Sequence, residues 1–256
     1  MKKLPVLQIT RDAYTFIFTK TKEIFPMFFQ YSVSMILLYV FLHLVKNHLV
    51  FTVGQPPSPT GMIILLTYGL LTFFLQMPMT ISIVRAITKQ EEIEKDFFNS
   101  LLKRRTRKAF LTTLAIIGIS CAIIIPFGVI ITLTSAFFST HLQNNILVFI
   151  LGLILFVIPI IYIFIRLFLA VPSAALDNQK PIRHSWKIAK GQVIRILGIF
   201  FLASFPSLIW GFIVNIFFDI SFQINPLAYG FLILPQLYFS LIGYTGLSLA
   251  YKHLQN

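Results

Sequence analysis

From Ala109 to Ile165 the chain runs for fifty-seven residues without a single Asp, Glu, Lys or Arg. A helix needs about 20 apolar residues to cross a hydrocarbon layer about 30 Å thick, so this run is long enough for two spans. The polar stretch Ser139, Thr140, His141, Leu142, Gln143, Asn144 and Asn145 marks the turn between them. The same reading places a first span in Ile24 to Val45. Asn47 to Val84 is cut by Gly54-Gln55-Pro56-Pro57-Ser58-Pro59-Thr60-Gly61, residues that cannot continue a helix, and yields the second span after the cut. A fifth runs from about Ile196 to Phe218 and a sixth from Leu227 to about Tyr251, with Asp219 to Pro226 between them. At 57% hydrophobic and 11% charged, the composition lies outside the soluble range. The expected fold is all-α and polytopic: six transmembrane helices as three hairpins in one membrane domain over residues 1–256.

The bases give the orientation. With the N-terminus in the cytoplasm, Lys46 alone of the 21 Lys and Arg faces outward, and the other twenty face inward. That asymmetry is the positive-inside bias, and it accounts for nearly all of the formal charge of +13 without nucleic acid. Met1-Lys2-Lys3, followed by Arg11 and Asp12, leaves no room for the apolar core of a signal peptide. The single cysteine, Cys121, excludes an intramolecular disulfide and a cysteine-based zinc cluster. The expected location is a cytoplasmic membrane, multi-pass, with both termini inside.

Each pair of spans follows a segment of similar character: Arg11-Asp12-Ala13-Tyr14, Lys95-Asp96-Phe97-Phe98 and Arg183-His184-Ser185-Trp186. Around these, apolar residues recur at helical intervals: Ile9, Ala13 and Ile17, then Ile93, Phe97 and Leu101, then Ile182, Trp186, Ala189 and Val193. They read as amphipathic helices lying on the inner leaflet, one before each hairpin, with candidate repeats 8–88, 91–170 and 172–252. Two spans per unit give every unit the same orientation, so the units would be related by a threefold axis along the membrane normal. Base-rich amphipathic flanks are also what any polytopic protein carries. Each span contains or adjoins a proline: Pro26, Pro78, Pro126, Pro159, Pro206 and Pro235. In lipid the carbonyl freed by a proline must be satisfied by a neighbour.

Residues with chemical potential are few. The five histidines match no metal spacing, and neither a phosphate-binding glycine loop nor a nucleophile elbow is present, so no metal, cofactor or catalytic residue is assigned. His43, Gln76 and Asn215 are possible intramembrane polar groups, and Gln30 and Gln236 are placed similarly. Bonding between helices is the first reading for all of them. Lys103, Arg104, Arg105, Arg107 and Lys108 form a patch suited to anionic headgroups, each base contributing about 1 kcal/mol of attraction at such a surface. Glu91, Glu92, Glu94 and Asp96 precede that patch, and acids early and bases late suit one continuous helix. Arg166 lies about one turn inside the inner boundary and needs a partner, expected to be Asp177 or helix carbonyls. Ser185 and Trp186 are expected to hold their amphipathic helix at headgroup level. Gly191 would allow the bend into the fifth span.

The series Arg166, Pro172, Asp177, then Ser185-Trp186-Lys187-Ile188-Ala189-Lys190-Gly191, resembles the YciC-like bacterial inner-membrane proteins and the related glycerophosphoryl diester phosphodiesterase membrane domain. The likeness extends more loosely to six spans and to Tyr251-Lys252 at the end of the last one. Asp177 stands where a glutamate is more usual, and nothing of the phosphodiesterase catalytic domain is present. The resemblance implies a membrane protein of envelope maintenance with no established reaction. The function expected is non-catalytic: contact with the anionic headgroups of membrane phospholipids in envelope or lipid homeostasis. The alternative is a small-molecule or lipid transporter with a polar path at His43, Gln76 or Asn215. A membrane enzyme would need clustered acids or histidines at one depth.

Overall fold

The computed structural model describes residues 3–46, 59–141, 158–224 and 226–255, and among these there is no strand. In chain order the helices are α1 (Val6–Thr19), α2 (Thr21–Lys46), α3 (Pro59–Lys89), α4 (Phe97–Leu102) and α5 (Arg104–His141). There follow α6, described over 158–168, then α7 (Ala170–Ala175), α8 (Pro181–Ile188), α9 (Val193–Ile224) and α10 (Pro226–Gln255). Six segments are long and apolar enough to cross a membrane: α2, α3, α5, Ile158–Ala175, α9 and α10. The protein is an all-α polytopic membrane protein. Side chains such as Leu37, Leu66 and Phe212 on these helices are 65%, 63% and 68% exposed, an apolar surface that water would not tolerate and lipid covers.

Where they are described, the expected turn residues are helical. Pro59, Thr60 and Gly61 belong to the first turn of α3, where a proline's missing N–H costs nothing. Ser139, Thr140 and His141 continue α5. The stretch from Asp219 stays helical to Ile224, and Pro226 opens α10. The rest of the expected turns, residues 54–58, 142–145 and 225, lies outside the described residues.

Small residues set the tightest contact, between α9 and α10. A side chain at Gly246 would meet Ala203 Cβ at 3.1 Å and Ile199 Cγ2 at 3.2 Å, and one at Gly243 would meet Ser204 Oγ at 2.5 Å. The expected proline compensation is explicit at Pro206. The Tyr14 phenol donates 3.0 Å to the carbonyl of Leu202, four residues earlier, so the aromatic of the first short helix satisfies the group that the proline frees. Near Pro235, the Trp210 indole N–H donates 2.7 Å to the carbonyl of Leu232.

The short helices all gather at one end of the bundle, where the bases are concentrated. Here α1 packs against α9 and α10, α4 against α2 and α3, and α8 against α5 and α7. Each short helix therefore lies against the hairpin before it in the chain, with α1 taking the last. The third residue of each matched tetrad, Ala13, Phe97 and Ser185, is 0% exposed.

Candidate functional site

Three bases close the three hairpins at this end, and each reaches a backbone carbonyl well beyond its own helix. Arg85, at the end of α3, donates 3.2 Å to the carbonyl of Ala175. Arg166, at the end of α6, donates to the carbonyl of Trp186, and Lys252, at the end of α10, donates 2.7 Å to the carbonyl of Ile87. Orphan carbonyls at helix ends carry partial negative charge, and a cation there is both satisfied and stabilising.

Arg166 thus takes the helix-carbonyl partner rather than Asp177. Its guanidinium lies 3.8 Å from the centroid of the Trp186 ring and donates 3.3 Å to the Tyr162 hydroxyl, one turn earlier. Ser185 is fully buried, with its hydroxyl donating to the Arg166 carbonyl, so it clamps α8 to α6 instead of meeting headgroups. Trp186, one of the apolar residues at helical spacing, is 38% exposed with its indole against Arg166, and Ser185 and Ala189 form the buried line. Pro172 is buried in the first turn of α7, where it ends α6 without costing a hydrogen bond. Lys190 is exposed in the turn after α8. Gly191 has φ +74°, a left-handed conformation that lets α8 turn into α9.

Asp177 belongs to a different network. Its own φ of 65° closes α7 with paired bonds, Asp177 N–H to Ala174 at 3.0 Å and Asn178 N–H to Ser173 at 3.2 Å. Its carboxylate accepts from Arg85 at 3.2 Å. The same arginine makes a two-pronged contact with Glu91 at 2.6 Å and 2.6 Å. These hydrogen bonds hold the Glu91 carboxyl below its usual range. Sequence reasoning passed over Arg85. The available signal was its position, a base closing a span as Arg166 does.

The acids do not lie on one helix with the bases. Residues 90–96 are non-helical, and the Asp96 carboxylate accepts 3.1 Å from the Asn99 N–H, starting α4 only at Phe97. Gln30, one of the polar span residues, fixes this start by accepting from the Phe97 N–H at 3.0 Å and donating to the Lys95 carbonyl at 3.3 Å. Glu94 then binds Ser100, Lys103 (2.9 Å) and Arg105. Lys103 is extended, with φ −64° and ψ 144°, and separates α4 from α5.

The basic run is therefore divided. Lys103 and Arg105 turn to Glu94, while Arg104, Arg107 and Lys108 share a neighbouring face of α5, at positions i, i+3 and i+4, with Arg104 at the border between the two. These three line a groove of about 1050 Å³ between α5 and the start of α8, joined there by Lys180 and Arg183. No acid lines it, and among the described residues none of the five cations has an ion-pair partner. Beyond these bases α5 contributes Leu111, Thr112 and Ala115 to the lining, and α8 adds Ile182 and Trp186.

Of the remaining polar candidates, Gln76 is half-buried, and its backbone carbonyl accepts from Thr80. The side chains of His43 and Asn215 lie outside the described residues. No group of His, Cys, Asp and Glu suited to a metal ion occurs among the described residues. Comparison with known proteins finds no matching family model, no matching curated protein and no matching solved structure.

Proposed function

We propose that this is a non-catalytic protein of a bacterial cytoplasmic membrane whose basic face, turned to the cytoplasm with both termini, holds anionic phospholipid headgroups in envelope or lipid homeostasis. One observation carries the reading: five cations with no ion-pair partner among the described residues, and no acid, line a groove that continues along α5 past Leu111 and Ala115. Cations at the level where spans end attract an anionic leaflet, and apolar side chains beyond them match acyl chains. Glu91, Glu94 and Asp177 are occupied by Arg85, Lys103 and Arg105, which leaves these acids as staples rather than proton-transfer groups. The YciC-like resemblance supports the setting and adds no reaction. The cyclic packing of the short helices also leads us to infer three units about a pseudo-threefold axis, which superposition of their backbones tests.

Lipid retention decides the main reading. The full chain, extracted in mild detergent and examined by native mass spectrometry, should keep phosphatidylglycerol in preference to phosphatidylethanolamine. Equal retention of the two refutes the proposal.

A further inference from the structure

The groove between α5 and α8 has two levels, and their spacing matches a lipid. On α5, Arg104, Arg107 and Lys108 form the upper level, and Leu111 and Ala115 continue the same face downward. At 1.5 Å per residue, Arg104 to Ala115 covers about 16 Å, about the depth of one leaflet of a 30 Å hydrocarbon layer. The opposite wall supplies Lys180 and Arg183 together with Ile182 and Trp186. Trp186 is braced from behind by Arg166, so that wall is set in place before any ligand arrives.

Five like charges in one groove repel one another, and their repulsion falls most when the occupant brings more than one negative charge. A phosphodiester head carries one. A phosphate monoester carries about −1.5 to −2 at neutral pH, and its three terminal oxygens accept from arginine forks in parallel pairs. The helix start at Lys180 has no side-chain cap, and although Pro181 brings no N–H, those of Ile182 and Arg183 add to the same attraction. Free phosphate would use the upper level alone, and nucleic acid has no use for the lower one.

We propose that this groove is the binding site for a single phospholipid whose head is a phosphate monoester, its chains lying over Leu111, Ala115 and Ile182. The proposal rests on the reading that the basic face meets anionic lipid, and it names which lipid. It predicts a preference for phosphatidic acid over phosphatidylglycerol that survives matching of total membrane charge.

The chain has two tryptophans, so Trp210→Phe leaves Trp186 as the sole reporter on the groove wall. In phosphatidylethanolamine nanodiscs, lipids with brominated chains should quench Trp186, and brominated phosphatidic acid should reach half-effect at a concentration about tenfold below brominated phosphatidylglycerol. Inorganic phosphate at the same concentrations should not displace it. Arg104→Gln/Arg107→Gln/Arg183→Gln should abolish the preference. Ala115→Phe, which fills the lower level and keeps every base, should weaken quenching by phosphatidic acid about tenfold. Equal half-effects for the two anionic lipids, or an Ala115→Phe protein that behaves as the parent, would overturn the assignment while leaving the general reading intact. If neither anionic lipid quenches beyond brominated phosphatidylethanolamine, the general reading falls with it. Displacement by inorganic phosphate would reassign the site to a soluble anion.

Discussion

Two halves of the basic face divide the run Lys103 to Lys108 between them and do opposite things. On one side Arg85, Lys103 and Arg105 are spent on Glu91, Glu94 and Asp177, joining α3, the non-helical segment 90–96, α5 and the end of α7. On the other side Arg104, Arg107 and Lys108 face Lys180 and Arg183 across a groove with no acid. Charge count does not distinguish the halves. Neutralisation does: the first has the electrostatics of a joint, and the second has those of a receptor for an anion. The two should therefore respond in opposite senses to loss of charge.

The largest effect is expected on the joint. Arg85→Ala would leave Glu91, Asp177 and the Ala175 carbonyl without their shared donor. The arginine side chain is only 13% exposed while both carboxylates are partly solvated, so the cost should be about 2 kcal/mol, below that of a fully buried pair. Unfolding of the reconstituted protein under a steric trap would measure it. A cost under about 0.5 kcal/mol would make the joint an ordinary surface pair and erase the contrast.

Arg166→Lys is a smaller change that probes the boundary between the halves. Lysine keeps the charge but loses the planar stack on Trp186 and one donor of the pair that reaches Trp186 and Tyr162. A loss of about 1 kcal/mol is expected, together with freer motion of Trp186, read as a drop in its fluorescence anisotropy. Unchanged anisotropy would mean that the groove wall is held by α8 alone.

Acid should loosen the joint and spare the groove. The Glu91 carboxyl is held low by Arg85, so its contribution is complete above the ordinary glutamate pKa of about 4.3 and is lost as pH falls through the lower, folded-state value. Parent protein should lose stability over that interval, and Glu91→Gln should show a flatter profile. Equal slopes would place the acid sensitivity elsewhere.

Much of this was legible in sequence, for identifiable reasons. Six spans follow from uncharged length, and the buried third position of the first two tetrads follows from helical periodicity at Ala13 and Phe97, whereas in the third tetrad the periodicity picked Trp186 and the buried residue is Ser185. The partner of Asp177 was not legible, because local reasoning paired it with Arg166, the nearest arginine that needed an acid. The actual partner, Arg85, is 92 positions away and is brought near by the packing of α3 against α7. The division of the basic run was hidden for a different reason. It depends on Asp96 starting α4 and on the extended Lys103 resetting the helical phase before α5, two backbone events that a count of charges does not contain. Read as one continuous helix, the acids and bases at 91–108 looked like dipole complementarity and nothing more.

The smallest expected change in stability is the most informative. Replacing Arg104, Arg107 and Lys108 together by Gln removes three positive charges that have no ion-pair partner among the described residues and that repel Lys180 and Arg183. A joint treated this way would weaken. The groove should instead hold its stability within about 0.5 kcal/mol or gain slightly, since exposed unpaired charges contribute little and their mutual repulsion is relieved. Salt supplies the second readout. Screening falls off over about 8 Å at physiological ionic strength, so added salt should stabilise the parent by quieting this repulsion and should do so less in the triple variant. If the triple variant is instead destabilised by as much as Arg85→Ala, the three bases have structural partners, the groove is another joint, and the distinction between the two halves collapses.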